Sequence, residues 1–416
     1  MTRLGDVSDM LVGFAFKSAG FLEEDSDGVR LLRGDNVQQG YIRWGDKTKK
    51  WPATQCDELE RYQLAEGDVI LAMDRPIVGD GLKMAWIKQE DLPALLVQRV
   101  CRLRGKEGMA LTKFIRYVLA APDFSAHIQR ITTGANIPHI SGKDISAYEF
   151  ELPGLEDQSR IVECISAYDD LIATNQRRIA LLEDAARRLY REWFVHLRFP
   201  GHESVAVKDG VPEGWHSLPL ADCADFVNGF AFKPEHQHEA GLPIVKIPEL
   251  RDGVSSKTPR NPGAAVPSRH HIDTGEILFS WSATLLVNEW SEGPALLNQH
   301  LFKVVPANPI HSRLIRFSVE AAIPLLLGQS VGATMQHIRR SALETHFMLV
   351  PDQAVAEAFA ALVDPMMDLV LNLKAQNQQL ARARNSLLPK LMSGQLDVSG
   401  IALPQAAHTE GVPLPC

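Results

Sequence analysis

Leu4–Lys17 reads LGDVSDMLVGFAFK and Leu220–Lys233 reads LADCADFVNGFAFK, with eight of the fourteen positions identical at an offset of 216. Further matches follow in the same order. Gly67-Asp68 in LAEGDVILAM parallels Gly275-Glu276 in IDTGEILFSW, and Gln98 in LLVQRV parallels Gln299 in LLNQHL. TTGANIPHI (Thr132–Ile140) parallels SVGATMQHI (Ser330–Ile338), pairing Gly134 with Gly332 and His139 with His337. Solenoid repeats have periods of about 20–50 residues. A period near 200 means instead two similar domains, each large enough for its own core. The offset falls from 216 at Gly13 to 198 at His139, so the frame recurs while its interior has changed in length. A scaffold has little reason to vary its interior in this way. A pair of domains reading different targets does.

After each globular half the hydrophobic period changes to steps of four and three. The first series is Ile161, Ile165, Tyr168, Ile172, Asn175, Ile179, Leu182, Ala186, Leu189 and Trp193. The second, 198 residues on, is Phe359, Val363, Met366, Val370, Leu373, Asn377, Leu380, Arg384, Leu387 and Leu391. This is the 3.5-residue seam of a coiled coil, held for more than four heptads in each segment. Asn175 and Asn377 interrupt the seams. A buried pair would fix one register, and the alternative is that either asparagine faces water. Pro365 lacks an amide hydrogen, so it belongs in a first turn or kinks the helix, which sets the expected start near Asp364. Pro200, Gly201, Gly210, Pro212 and Gly214 mark a linker between the halves.

The predicted fold class is α+β. Globular halves at 1–150 and 216–350 carry short β-rich runs (VRLLRGDNV, GDVILAM, GEILFSW) and a helix such as FIRYVLAAPDF. Helices occupy 151–199 and 351–399, with a linker at 200–215 and a disordered tail at 400–416. The two helices are expected to pair as an antiparallel coiled coil within a pseudo-two-fold repeat.

The 416 residues, 45% hydrophobic and 23% charged, fit an ordinary globular protein, which excludes collagen, disulfide scaffolds and wholesale disorder. Five scattered cysteines form no C-x-x-C pair, so neither zinc nor a disulfide framework is signalled. The opening MTRLGDVSDM lacks the apolar core of a signal peptide, and no apolar run reaches the roughly 18 residues needed to span a bilayer. A reducing cytoplasm without membrane attachment is the expected setting. Catalytic signatures are missing: no P-loop, G-x-G-x-x-G, H-E-x-x-H or G-x-S-x-G occurs, and Asn261-Pro262 runs into Gly263-Ala264 rather than a second proline and an aromatic residue. His270-His271 has no third ligand at a metal-site spacing, and the matched His139 and His337 suggest a shared structural contact. The chain is not expected to be an enzyme by itself.

The net charge of −8 gives no general support for nucleic-acid binding, and residues 1–150 hold 20 basic against 21 acidic side chains. Local clusters differ. Arg30, Arg33, Arg43, Lys47, Lys49 and Lys50 stand against Asp35 and Asp46, interleaved with Tyr41 and Trp44. Arg99, Arg102, Arg104, Lys106, Lys113 and Arg116 face Glu107 alone. In the second half Arg251, Lys257, Arg260, Arg269, His270 and His271 surround a Pro/Gly-rich loop. Lysine and arginine neutralise phosphates, and arginine also bonds bidentately to guanine. The candidate DNA-contacting residues are Arg33, Arg43, Trp44, Lys47, Lys49, Lys50, Arg75, Arg251, Lys257, Arg260, Arg269 and His270. A solvated loop is the competing account of any single one.

The ordered set LPGLEDQSRIV, RLYREWF (Arg188–Phe194), PEGWHSLPLADCADFVNG and KLMSGQLDV (Lys390–Val398), together with GFAFK, LLRGDNVQQG and LAEGDVIL, resembles the DNA-specificity subunit of type I restriction–modification systems. The resemblance covers nearly the whole chain except about the last fifteen residues. VPDQAVAEAF at the second helix departs from LPGLEDQSRIV at the first. The resemblance implies two target-recognition domains reading an asymmetric bipartite site on double-stranded DNA, and helices that dock two methyltransferase subunits. It also implies up to two restriction subunits, with S-adenosylmethionine, ATP and Mg on the partners and none in this chain. Ile161 to Trp193 would span about 48 Å at ~1.5 Å per residue, enough to hold readers roughly 34–36 Å apart, one DNA turn. A coiled-coil adaptor with two protein- or ligand-binding domains is the other reading.

Overall fold

The computed structural model describes residues 1–22, 26–45, 48–78, 81–132, 138–328, 338 and 340–400. The chain divides into two compact units, Met1–Asp170 with the segment from Ala381 onward, and Leu171–Leu380. The expected tail lies, from Ile401, outside the described residues.

In the first unit an antiparallel sheet runs in the order Ser8–Val12, Val100–Gly105, Val69–Ala72, Met84–Trp86. The run GDVILAM reads as unbroken apolar sequence because both faces of its strand are buried. Val69 and Leu71 pack on Phe114 and Ile115, while Ile70 and Ala72 pack on Leu32, Ala94 and Leu96 of a second sheet. That second sheet is ordered Lys50–Trp51, Val29–Leu32, Ala94–Leu96, with its last pair parallel.

The second unit repeats this plan. Its antiparallel sheet is Ala224–Asn228, Leu301–Pro306, Ile277–Ser280, Val287–Glu289. Ile277 and Phe279 face one core, and Leu278 faces another with Val245, Ala295 and Leu297. The companion sheet is Arg260–Asn261, Leu242–Val245, Ala295–Leu297, His271–Ile272, again with one parallel pair at its centre. The edge strand His271–Ile272 stands where the first unit has only the bridge Gln63↔Leu95.

FIRYVLAAPDF, read as one helix, forms the end of one and the start of another, Thr112–Ala120 and Pro122–Thr132. Ala121 is extended, at ψ 145°. The proline ring disfavours helical backbone at the residue before it and suits the first position of the next helix.

The long helices span Leu155–Tyr190 and Gln353–Met392. The second starts well before the expected Asp364 and continues through Pro365. An interior proline costs about 3 kcal/mol. The turns preceding it bury Val355, Phe359, Ala360 and Val363. At ~1.5–3 kcal/mol for each large apolar side chain, that burial outweighs the proline. Every seam position of both helices is buried or half-buried. In the second unit Asn175 Nδ2 donates to Asn377 Oδ1 at 3.0 Å, and Lys374 bonds Glu183 at 3.1 Å. Numbers rise along one helix as they fall along the other, so the pair is antiparallel. The two asparagines satisfy each other within the seam, at one register. In the first unit Ile161 and Ile165 share a core with Leu388 and Leu391.

The LEDQ segment enters its helix through Gln158, which is fully buried. Its amide accepts from Leu111 N at 2.9 Å and donates to Met109 O at 3.0 Å and Pro153 O at 2.9 Å. Gln353, at the departing second motif, is exposed and bonds Glu357. Gln158→Ala therefore leaves a buried amide and two carbonyls without partners, and thermal unfolding should show a loss of about 2 kcal/mol. Gln353→Ala should change stability by less than about 0.5 kcal/mol.

Candidate nucleic-acid interface

The basic stretch after the strand Val29–Leu32 splits into structural and free residues. Arg30 donates to the carbonyls of Glu90 and Leu92, both at 2.9 Å, and its guanidinium lies 4.6 Å from the centre of the Trp44 ring. Trp44 is half-buried, and its indole donates to Asp91 Oδ1 at 2.8 Å. Lys50 lies in a strand and donates to Ser26 O at 2.9 Å. Arg33, Arg43 and Lys49 are exposed. Asn36 ties the first two into one loop: its Oδ1 accepts from Arg33 N at 3.0 Å and its Nδ2 donates to Arg43 O at 3.1 Å. Lys47 lies outside the described residues.

Arg75 is exposed at the turn after Val69–Ala72, with φ 44° and its amide donating to Pro138 O at 2.7 Å. Lys83, across the same hairpin, lies within electrostatic range of Arg75, Arg43, Asp35 and Asp74. Burial, helped by the two guanidiniums against the two carboxylates, holds its ammonium below the ordinary lysine range. Arg43 and Arg75, remote in sequence, thus converge on Lys83. Beside them Asp74 receives Arg99 Nη1 at 2.8 Å and meets His139 Nδ1 at 2.6 Å. Burial opposes ionisation of Asp74, but the bonds from His139 and Arg99 outweigh it and hold its pKa below the usual carboxylate value. Lys83 and Asp74 carried no signal in sequence, because only folding of the hairpin sets them beside Arg43 and Arg99. The partner residue His337 lies outside the described residues.

The second basic stretch, 99–116, does not form a free patch. Arg102 is buried and bonds Asp9 at 2.7 Å, and Arg104 grips Asp68 with two nitrogens. Lys106 donates to Asp6 O at 2.7 Å. Arg116 stacks 3.2 Å from the Trp86 ring centre and bonds Asp169. Arg99, Lys106 and Lys113 of the six present exposed side chains, and Lys106 is held by the carbonyls of Gly5 and Asp6.

In the second unit Arg251 pairs with Asp252 at 2.6 Å, Lys257 is exposed, and Arg260 donates to Gly241 O at 2.9 Å from within a strand. Arg269 donates to His270 Nε2 at 3.1 Å. His270 itself is only 6% exposed and packs edge-on against Phe230. Burial lowers its pKa, which works against a charge that a phosphate could use. These five residues occupy a helix, a loop, a strand and a 3-10 turn, of which only His270 is buried. They do not share the convergence seen around Lys83.

The same backbone frame carries both sites. Ile140 N donates to Met73 O at 2.9 Å in the first unit, and Ile338 N donates to Trp281 O at 2.9 Å in the second. Ala72 N closes its hairpin on Lys83 O, whereas Ser280 N closes the shorter one on Leu286 O. The frame recurs while the hairpin at the cation cluster changes length.

Residues 1–184 match the family model described as Type I restriction modification DNA specificity domain. Over 174 residues the chain is 37% identical to the Type I restriction enzyme EcoAI specificity subunit of Escherichia coli, covering 41% of this chain and 28% of that one. It is 25% identical over 389 residues to the Type I restriction enzyme MjaIX specificity subunit of Methanocaldococcus jannaschii, covering 87% of this chain and 85% of that one. The crystal structure of the Type-I restriction-modification system S subunit from M. genitalium shares the fold, with a TM-score of 0.54 at 13% identity over 94% of this chain and 95% of that one.

Proposed function

This chain belongs to the family of type I restriction–modification specificity subunits, and on that premise we propose that each globular half reads one part of an asymmetric, bipartite site on double-stranded DNA. Residues 1–150 act as the first target-recognition domain and 216–350 as the second, joined through the helices 151–199 and 351–399 and the linker 200–215. The observation that carries this reading is a four-stranded antiparallel sheet repeated in the same order in both units, with a hairpin and its charges changed between the copies. Equal scaffolds with unequal edges suit two readers of different half-sites. The cluster of Arg43, Arg75, Lys83 and Arg99 supplies phosphate contacts, which position without specifying. Arg33 and Lys49 add exposed charge beside it.

The paired helices set the distance between half-sites, with Asn175 and Asn377 fixing their register. They also dock two methyltransferase subunits. Leu171 and Leu369, at equivalent positions 198 residues apart, are 47% and 36% exposed, and they give each helix a similar apolar contact. The chemistry belongs to the partners: methyltransferase subunits flip and methylate an adenine in each half-site with S-adenosylmethionine, and restriction subunits use ATP and Mg for cleavage. No helix among the described residues is long and apolar enough to cross a membrane. A cytoplasmic setting fits a partner that is DNA.

Co-expression of the full chain with its methyltransferase, followed by mapping of methylated adenines, tests the reading. A two-part motif with a fixed gap supports it; unmodified or randomly modified DNA overturns it in favour of an adaptor without DNA specificity.

A further inference from the structure

Five non-glycine residues among the described ones have positive φ, and three of them fall on one edge of the repeat. Arg75 (44°) and Arg99 (66°) lie there in the first half; Ala283 (57°), the counterpart of Arg75 in the repeat, lies there in the second. Positive φ strains an L-residue, and such strain is found where surrounding structure holds a functional group in place.

Asp74, the residue before Arg75, makes the Arg99 contact. The Arg99 side chain is 67% exposed, while Asp74 is 28% exposed and further held by His139. Among the described residues the guanidinium is fastened through Nη1 alone. Its Nε/Nη2 edge has no hydrogen bond among the described residues, and the Asp74 that holds it also lies within electrostatic range of Lys83. In the second half Ser282 and His300 stand at the equivalent positions. Ser282 is buried, His300 is exposed, and Ser282 Oγ lies 3.3 Å from His300 Nδ1. Trp281 backs the imidazole at 6.0 Å between ring centres and donates to Gln299 O at 3.1 Å. In both copies an inner polar residue therefore lies against an exposed nitrogen-bearing side chain close to a positive-φ position, Arg75 and Arg99 themselves in the first half and Ala283 in the second.

We propose that Arg99 and His300 are equivalent base-edge readers of the two half-sites, with Asp74 and Ser282 as their positioning residues. The proposal rests on the DNA-reading function assigned above. A fixed Nε/Nη2 edge offers two parallel donors, matching the O6 and N7 acceptors of guanine in the major groove. An imidazole offers one donor or acceptor, so the second half discriminates through a different contact. The flanking cations grip phosphates and bring the edge to the groove. One frame bearing two chemistries thus accounts for an asymmetric target.

The test uses the full chain co-expressed with its methyltransferase, with methylated adenines mapped for the wild type and for Arg99→Ala, Arg99→Lys, Asp74→Asn and His300→Ala. Arg99→Ala should relax one base pair of the first half-site and slow methylation of the wild-type motif about ten- to a hundredfold. The second half-site should be unchanged. Arg99→Lys should keep phosphate attraction yet relax the same base pair, because lysine lacks the planar fork. Asp74→Asn should act in the same direction more weakly, and His300→Ala should relax the second half-site alone. An unchanged motif in Arg99→Ala overturns the proposal, as does loss of both half-sites together, which would mark Arg99 as structural. A wild-type complex with no bipartite motif removes the DNA reading itself and this proposal with it, before any substitution is compared.

Discussion

Asp169→Ala is expected to destabilise the first unit by about 3–5 kcal/mol, the cost of removing one partner from a buried ion pair. Asp169 is 12% exposed and receives Arg116 Nη2, the Tyr117 hydroxyl at 2.9 Å and Arg384 Nη1 at 2.7 Å. Arg116 is 14% exposed, and its other face is closed by the Trp86 ring. Burial already lowers its pKa. Removing the carboxylate leaves two neighbouring guanidiniums with the exposed Asp170 as a weaker counter-charge, and Arg116 cannot swing into water without abandoning the Trp86 ring. One residue thereby fastens the sheet strand Met84–Trp86, the helix Thr112–Ala120 and both long helices. Hydrogen exchange of Thr112–Ala120 should report the loss directly, with protection falling by two to three orders of magnitude. Asp170→Ala is the control: that side chain is exposed, and its removal should cost less than about 0.5 kcal/mol. Equal protection in both variants would show that the cluster contributes packing geometry and little energy. On the reading proposed above, Asp169→Ala should also weaken modification through the first half-site while the second half-site is still read.

The second unit reaches the same end with other residues. Arg313 bonds Glu289 at 3.2 Å and Asp368 at 2.8 Å, while Glu320 joins Arg316 at 3.2 Å and Arg187 at 2.9 Å. Arg116 and Arg316 occupy equivalent places, yet one stacks on Trp86 and the other faces Glu289 at 3.7 Å. Such exchanges explain what was legible in the sequence and what was not. The repeat and the helical seams were legible because periodicity and spacing are local in sequence, and a repeated frame implies a repeated sheet order. The fate of residues 99–116 was not. Their partners Asp9, Asp68 and Asp169 lie in other parts of the chain, so a run of cations reads the same whether it faces phosphates or buried carboxylates. Trp44 and His270 were singled out as interface residues for their chemistry, but burial against Asp91 and Phe230 is set by tertiary packing alone. Lys83 joins Arg43 and Arg75, and Asp74 meets Arg99, only once the hairpin closes. The start of the second helix was misplaced because proline propensity is local, whereas the apolar burial that overrides it is not.

Gly13→Ala is the second substitution with a large expected effect, and it explains why GFAFK is the longest identical run shared by the two copies. Neither Gly13 nor Gly229 is held at positive φ, so backbone freedom is not the reason. A Cβ on Gly13 would stand 2.3 Å from Val97 O, and one on Gly229 would stand 2.2 Å from Asn298 O. Each contact is with main chain at a parallel bridge, Phe14↔Val97 and Phe230↔Asn298, so no flexible side chain can yield. Around Gly13 the crossing is tied by Gly13 N to Val100 O at 3.0 Å, Phe14 N to Leu96 O at 3.0 Å and Gln98 N to Phe14 O at 2.8 Å. Around Gly229 the same three bonds recur, to Leu301 O, Leu297 O and from Gln299 N. Relieving the clash means parting these segments and losing bonds worth about 0.5–1.5 kcal/mol each, on top of an overpacking cost of about 1–3 kcal/mol. With all three bonds lost the total is about 2.5–7.5 kcal/mol. Because Arg99 follows two residues after Val97, the displacement also moves the proposed reading edge. Gly13→Ala should therefore abolish recognition of the first half-site and Gly229→Ala that of the second, each with a matching loss of unfolding free energy. Gly34→Ala, where a Cβ meets nothing within 4 Å, should leave stability unchanged. If Gly13→Ala unfolds at the same denaturant concentration as Gly34→Ala, the crossing tolerates a methyl group and the shared motif has some other cause.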